Sequence, residues 1–190
     1  SYILDHRKDS PLPVIIDIAH KLELQGEEFL AMPCCTAHSF QEELETSLHK
    51  PFVNIIRATV GYLKERGIKR VGVMATDGTM RQGLFKKELE ANGMEMISPS
   101  PERQKEVMHI IYEKVKANRP AEMKRFNKVG DELKAKGAQA IILGCTELSL
   151  VKRDYNIGAG FIDAMEVLAQ KSLVSCGSTL KAEYEELITE

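Results

Sequence analysis

The sequence alternates short apolar runs with longer amphipathic stretches, and this alternation restricts the fold more than any other feature. The run QAIILGC, at residues 139–145, has the length and composition of a buried strand. Amphipathic stretches flank it, and glycines such as Gly137 end several of them. Alternating strands and helices are typical of parallel sheets with helices on both faces. The sequence therefore predicts an α/β fold with parallel sheets.

The predicted elements follow one another along the whole chain. Strands are predicted at residues 28–34, 51–56, 70–76, 94–99, 139–145 and 161–163. Helices are predicted at residues 14–25, 37–49, 58–66, 80–92, 102–117, 121–136, 164–173 and 181–187. The first helix is predicted from one apolar face, formed by Val14, Ile15, Ile18, Ala19 and Leu22.

The strand–helix pattern restarts near Gly67, which predicts two halves of similar build. We expect a first α/β domain made of residues 1–66 together with residues 160–190, because strand 161–163 is expected to return to the first half. Residues 67–159 are expected to form the second domain. In such sheets, ligands bind at the carboxyl ends of the strands.

Composition excludes several classes of protein. The chain has 190 residues, of which 43% are hydrophobic and 28% are charged, which is ample for a core. A net charge of −2 with scattered basic residues predicts neither a nucleic-acid partner nor a membrane surface. No apolar run has the length of a membrane span, and the start lacks the apolar core of a signal peptide. We therefore expect a cytoplasmic protein.

Four cysteines are present: Cys34, Cys35, Cys145 and Cys176. They are too few for a disulfide scaffold, and their spacings do not match zinc-binding patterns. We expect free thiols and no bound metal. Cys176 carries no further signal and is predicted to have a structural role, since cysteine is among the most frequently buried residues.

Three predicted strands end in polar, reactive residues. Residues 34–38 have the sequence CCTAH, residues 76–79 have TDGT, and residues 144–147 have GCTE. Each segment lies where a strand leads into a helix, so unpaired N–H groups are available there. A cysteine in that position is expected to have a lowered pKa, and the same donors can hold a substrate carboxylate.

Two such cysteines, Cys34 and Cys145, favour a specific chemistry. Racemisation needs a base on one face of the α-carbon and an acid on the other. Two fixed thiols can supply both, with one as thiolate and the other protonated, and their roles exchange with the direction of reaction. Preorganised N–H donors would then stabilise the carbanion, so no cofactor is expected.

The three segments resemble those of the aspartate/glutamate racemase family, which works without pyridoxal phosphate. MPCCTAH is similar to the family's Cys-Asn-Thr-Ala-His segment, ATDGTMRQGLF to its Ala-Thr-x-Gly-Thr segment, and LGCTEL to its Gly-Cys-Thr-Glu segment. Their order matches, and the resemblance extends from about Tyr2 to about Leu173. It implies two pseudo-symmetric α/β domains with the site in the cleft between them, and a homodimer.

The resemblance also implies roles for individual residues. Cys34 and Cys145 match the catalytic cysteines. Matches to substrate-binding positions are Thr36, Thr76, Gly78, Thr79 and Thr146. Tyr112 and Lys116 resemble a Tyr-x-x-x-Lys segment of aspartate racemases, in which the lysine approaches a substrate carboxylate. This match favours an acidic amino acid, aspartate or glutamate, as the substrate.

Three further residues are candidates beside the site. Cys35 stands where the family usually has asparagine, and it is predicted to fill space beside the site because a thiol is a weak hydrogen-bond partner. His38 could assist a thiolate, or it could face solvent or cap a helix. Glu147 could cap the helix after Cys145 or lie near the substrate.

The start of the chain departs from the family pattern. Family members open with a strand, a glycine-rich turn and an arginine, whereas SYILDHRKDSP resembles the stretch that follows that arginine. The first domain is therefore expected to lack its N-terminal strand. Arg7 and Lys8 are the nearby cations.

Two alternatives to amino-acid racemisation stay open. One is a maleate-isomerase-like or hydantoin-racemase-like enzyme of the same superfamily, in which a cysteine adds to an alkene or the substrate is a ring. The other is a catalytically silent small-molecule binding protein of this fold.

Overall fold

A computed structural model describes residues 9–190, so Arg7 and Lys8 lie outside the described residues. The strands are β1 Leu30–Ala31, β2 Phe52–Val53, β3 Arg70–Met74, β4 Glu95–Ile97, β5 Ala140–Leu143 and β6 Phe161–Asp163. The α-helices are α1 Leu12–Leu24, α2 Gln41–Ser47, α3 Ile55–Glu65, α4 Asp77–Gln82, α5 Leu84–Ala91, α6 Pro101–His109, α7 Met123–Ala135, α8 Thr146–Asp154 and α9 Ala164–Ser175. Short 3₁₀ helices cover Cys35–Phe40 and Ala182–Tyr184, and a π-helix covers Ile110–Val115.

The strands form two parallel sheets, which confirms the predicted α/β class. The larger sheet has the order β4-β3-β5-β6, and the smaller one pairs β1 with β2. All four residues of β5 are buried because helices cover both faces of the larger sheet. One core cluster includes residues of α3, α5 and α9, and the other includes residues of α6, α7 and α8.

Strand β6 corrects one prediction. Residues 161–163 pair in parallel with β5, with Ile162 opposite Ile142, so this strand belongs to the larger sheet and does not return to the first half. Its three residues are all buried, and a strand that is buried on both faces carries no alternation that would specify its neighbour. Helix α9, which follows it, packs against α3.

Several predicted helices begin or end elsewhere because of local caps. Helix α3 begins at Ile55, inside the predicted strand 51–56, because the Asn54 side chain accepts hydrogen bonds from the Ile56 and Arg57 N–H groups. The predicted helix 80–92 is two helices, α4 and α5. They are separated by Gly83, whose φ of +64° is the left-handed conformation that glycine adopts at low cost.

Helix α1 forms as predicted, but it buries none of its residues. Side chains of the predicted apolar face remain open to solvent, with Val14 62% and Ile18 53% exposed. Two of its contacts with the rest of the chain are polar: the His20 ring binds the Ser47 carbonyl, and Glu23 binds the backbone of His49.

The predicted helix at residues 181–187 is wrong. This segment forms only one 3₁₀ turn, at Ala182–Tyr184, and just beyond it Ile188 forms an antiparallel bridge with Ile162 of β6. The Thr189 N–H donates to the Phe161 carbonyl at 2.8 Å. The backbone therefore satisfies its hydrogen bonds along the edge of the sheet instead of within a helix. No described helix is long and apolar enough to cross a bilayer.

Candidate active site

The carboxyl ends of β3 and β5 bring two of the predicted segments together. The strands are neighbours in the sheet, and the Gly144 N–H donates to the Met74 carbonyl at 2.8 Å just beyond their last paired residues. A Cβ atom at Gly144 would lie 2.9 Å from the Phe85 ring, which explains why the position before Cys145 needs glycine. Thr76 and Cys145 therefore start their helices side by side.

The third segment joins them through a triangle of threonine hydroxyls. Thr36 Oγ1 lies 2.8 Å from Thr79 Oγ1 and 3.1 Å from Thr76 Oγ1. Thr76 is also the N-cap of α4, because its hydroxyl accepts from the Thr79 N–H at 3.3 Å. Gly78 is buried in the first turn of the same helix. These contacts hold the loop after β1 against the turn after β3.

Cys34 is exposed, and it is the residue immediately before the 3₁₀ helix. His38 lies beneath it, 2% exposed, with Nδ1 2.9 Å from the Cys34 carbonyl and Nε2 3.3 Å from the Ile55 N–H. The carbonyl can only accept and the N–H can only donate, so His38 is the neutral tautomer with the proton on Nδ1. Burial lowers its pKa, which also favours the neutral ring.

The prediction that His38 could face solvent is therefore wrong. Both of its ring nitrogens are occupied by backbone groups, and its ring centroid lies 5.4 Å from that of Phe52. In this arrangement His38 acts as a brace for the backbone of Cys34. It has no free nitrogen with which to take a proton from the thiol.

Cys145 has a charged neighbour two residues along. Its Sγ–H donates to Glu147 Oε2 at 2.7 Å, and the Thr146 hydroxyl donates to the same oxygen at 3.1 Å. The other oxygen of Glu147 lies 3.5 Å from Lys116 Nζ. The Lys116 ammonium in turn lies 4.5 Å from the centroid of the Tyr112 ring. The structure thus groups five of the predicted site residues into one network.

This network reverses the predicted pKa of Cys145. The thiol is the N-cap of α8, where the helix dipole was expected to favour the thiolate. Burial raises the pKa of Cys145 instead, and the hydrogen bond and negative charge of Glu147 raise it further. Burial alone would also raise the pKa of Glu147, but the Cys145 hydrogen bond and the Lys116 charge lower it. The pair is therefore thiol and carboxylate at neutral pH.

Cys35 points away from solvent, at 5% exposure, and belongs to the core cluster that includes Ile55 and Ala164. Burial raises its pKa well above the usual range, and the nearby Cys145, Cys34 and Asp163 raise it further. These electrostatic neighbours indicate that the three thiols share one region of the molecule.

Two residues near the site were missed by the sequence analysis. Asp163 is 2% exposed, accepts from the Ser149 hydroxyl at 2.8 Å, and caps α9 through the Met165 N–H. Gln104 donates to the Ala75 carbonyl and to the Asp77 carboxylate, which fixes the turn after β3. An aspartate before a predicted helix is a detectable cap signal, whereas nothing in the sequence marks Gln104.

The site is open to solvent at Cys34. A cavity of about 1130 Å³ lies elsewhere, between β2, α3 and α9, and it is lined by neither Cys34 nor Cys145. Across residues 9–190, the side chains that could hold a metal ion also lie outside the site, at His20, Glu23 and His49.

Comparison with solved structures identifies the class of protein. The Picrophilus torridus aspartate racemase superposes with a TM-score of 0.82 and 29% identity, over 96% of this chain and 77% of that one. A putative Asp/Glu racemase from Yersinia pestis gives a TM-score of 0.76 and 27% identity, over 87% and 74% of the two chains. The fold and the site thus define an α/β racemase.

The chain belongs to the Asp/Glu/hydantoin racemase family, whose model matches residues 3–172. Among curated relatives, the broad specificity amino-acid racemase RacX of Bacillus subtilis strain 168 is 32% identical over 172 residues. That alignment covers 90% of this chain and 74% of the relative.

Proposed function

We propose that this protein racemises amino acids by proton transfer between Cys34, Cys145 and the α-carbon of the substrate, without a cofactor. The observation that carries the proposal is the position of the two thiols. Each precedes a helix, one after β1 and one after β5, and the threonine triangle draws the first segment against the same sheet edge.

The protonation state of Cys145 gives the reaction its order. Burial and Glu147 together hold Cys145 as a thiol, so it is the acid that delivers a proton to one face of the α-carbon. Cys34, exposed and outside this network, is the base on the opposite face. Once Cys145 has lost its proton, its thiolate lies beside the Glu147 carboxylate and is a strong base for the reverse reaction.

We place the substrate carboxylate at the start of α8. The first N–H groups of a helix have no partner within the helix and favour an anion. The Thr36 hydroxyl is half-buried at the same sheet edge and can bind a polar group of the substrate, while the buried hydroxyls of Thr76 and Thr79 hold it in place. As charge develops on the carboxylate in the transition state, such fixed donors stabilise it.

We further propose aspartate or glutamate as substrates, with Lys116 as the cation for the side-chain carboxylate. Burial alone would lower the pKa of Lys116, but Glu147 raises it, so the ammonium is charged. The aspartate racemase of Picrophilus torridus supports this choice. The ion pair of Lys116 with Glu147 supports a second candidate, broad specificity, because a paired lysine selects less strongly for acidic side chains. RacX, with its broad specificity, agrees with that candidate.

The test is deuterium incorporation at the α-carbon in D₂O, measured by NMR for both enantiomers of aspartate, glutamate, alanine and lysine. The wild-type chain should exchange and racemise at least one of them. Cys34→Ala and Cys145→Ala should abolish racemisation, whereas Cys176→Ala, which removes an exposed free thiol, should not. Full activity in Cys145→Ala would exclude the two-thiol mechanism. Exchange restricted to acidic substrates would favour the first candidate over broad specificity.

A further inference from the structure

A second group of reactive side chains lies between α1 and the loop before β2. One ring nitrogen each of His20 and His49, and one carboxylate oxygen of Glu23, lie within 4.8 Å of one another. His20 and Glu23 are three residues apart on α1, so they share one face of the helix. His49 approaches from the loop that follows α2. Neither histidine has a part in the racemase site.

The carboxylate of Glu23 is held in a fixed orientation. Oε1 accepts from the His49 N–H at 2.6 Å and from the Lys50 N–H at 2.7 Å. Its side chain is only 10% exposed. The other oxygen, Oε2, faces His49 Nδ1 at 3.4 Å. Two ligands of a tetrahedral ion with bonds near 2.1 Å lie about 3.4 Å apart, so this pair already has the required separation.

His20 has the outer contact that metal-binding histidines commonly make. Its Nε2 lies 2.9 Å from the Ser47 carbonyl, which can only accept, so Nε2 carries the proton. In the neutral ring this leaves Nδ1 with its lone pair, the form that binds a metal ion. His49 is 86% exposed, so its ring is free to turn and close the remaining distance.

We propose that His20, Glu23 and His49 bind a divalent transition-metal ion of the zinc class. Two imidazoles and a carboxylate are borderline ligands that suit Zn²⁺, and solvent at the exposed His49 supplies the fourth position. The ion joins α1, which buries none of its residues, to the loop between α2 and β2. Its role is to hold the first part of the chain together, separately from catalysis at the thiols.

The test uses the full chain, stripped of metal and titrated with Co²⁺, which gives visible absorption bands in nitrogen and oxygen sites. We expect one equivalent to bind with visible bands and no sulfur-to-metal charge-transfer band, also in the Cys34→Ala/Cys145→Ala double variant. Zn²⁺ should displace the Co²⁺. Zn²⁺ should also raise the melting temperature of the wild-type chain.

Matched variants decide which residues bind. His49→Ala should weaken Zn²⁺ binding by about tenfold or more and abolish the rise in melting temperature, and its exposed position leaves folding intact. Glu23→Gln keeps an oxygen for the His49 and Lys50 N–H groups and should weaken binding similarly. Asp17→Asn, on the exposed face of α1, should leave binding unchanged. Absence of visible bands, or bands that survive His49→Ala but vanish without the thiols, would overturn the proposal.

Discussion

The hydroxyl oxygen of Thr36 lies 2.8 Å from that of Thr79, and this hydrogen bond joins the segment that carries Cys34 to the turn after β3. Thr79 is 1% exposed, so water cannot replace the bond if it is lost. The relative position of the first thiol thus depends on a buried contact between residues that are 43 apart in sequence.

We expect Thr79→Val to destabilise the protein by about 1–3 kcal/mol, because it leaves the hydroxyls of Thr36 and Thr76 with fewer partners. It should also reduce kcat, because the segment that carries Cys34 loses a contact that positions it. Urea unfolding and racemase kinetics measure the two effects. Thr46→Val is the control, since Thr46 is exposed and its hydroxyl donates to the Glu42 carbonyl of its own helix. Equal effects of the two variants would contradict a special role for the triangle.

Glu147→Gln should lower the pKa of Cys145. Burial is the largest cause of the raised pKa and remains in the variant, but the anionic acceptor and its repulsion of the thiolate are removed. The measurement is the rate of Cys145 alkylation by iodoacetamide at a series of pH values, read by mass spectrometry. In Glu147→Gln the reaction should begin at a lower pH than in the wild-type chain. Cys176 in the same molecule is an exposed internal reference that should not change. An unaltered Cys145 profile would show that Glu147 does not govern the thiol.

Lys116→Met should reduce kcat/KM for aspartate by roughly 10–100-fold relative to alanine, the loss expected for one charge-assisted hydrogen bond. The measurement is competition between the two substrates under identical conditions. Lys114→Met is the matched control, because Lys114 lies in the π-helix that ends just before Lys116 but pairs with Glu122. If both substrates lose activity equally, Lys116 does not recognise the side chain.

Acid stability should depend on Glu132. Burial alone would raise its pKa, but hydrogen bonds from Lys136 and Ser100 outweigh burial and bring the pKa to about 2, from 4.5. The pKa of Glu132 is lower in the folded state than in the unfolded chain. Its ionised form therefore stabilises the fold fully above about pH 4.5, and this stabilisation is lost as the pH falls toward 2. Urea midpoints should fall over this window in the wild-type chain and fall less steeply in Glu132→Gln. Parallel pH profiles for the two proteins would rule out this contribution.

The sequence predicts the α/β class and most elements of this fold because the periodicity of strands and helices is local information. It does not predict where β6 pairs, since three buried residues carry no pattern that selects a neighbour. Helix α4 ends at Gly83, inside a predicted single helix, and α3 starts at Ile55, inside a predicted strand. Each difference is caused by one capping residue, which the longer hydrophobic pattern does not reveal. The domain boundary at residue 66 stays a prediction, whereas the pairing of β6 with β5 places residues 161–163 in the larger sheet and not in the first domain.

At the candidate site, residue types are predictable but their electrostatics are not. The motif places Cys145 at a helix start, where a lowered pKa is the usual expectation. The structure adds burial and the Glu147 oxygen at 2.7 Å, and together they outweigh the helix dipole. The same holds for His38, whose two backbone partners come from Cys34 and from Ile55, 17 residues away.

The segment at residues 186–189 also affects how the protein folds during its synthesis. The Leu187 N–H donates to the Tyr62 hydroxyl at 2.6 Å, and Thr189 pairs with Phe161 at the edge of the sheet. Residues this late leave the ribosome after the rest of the sheet, so until then the outer side of β6 is an unpaired strand edge in the nascent chain. Such an edge is open to pairing with other chains. Loss of these few residues should therefore show first as aggregation during expression.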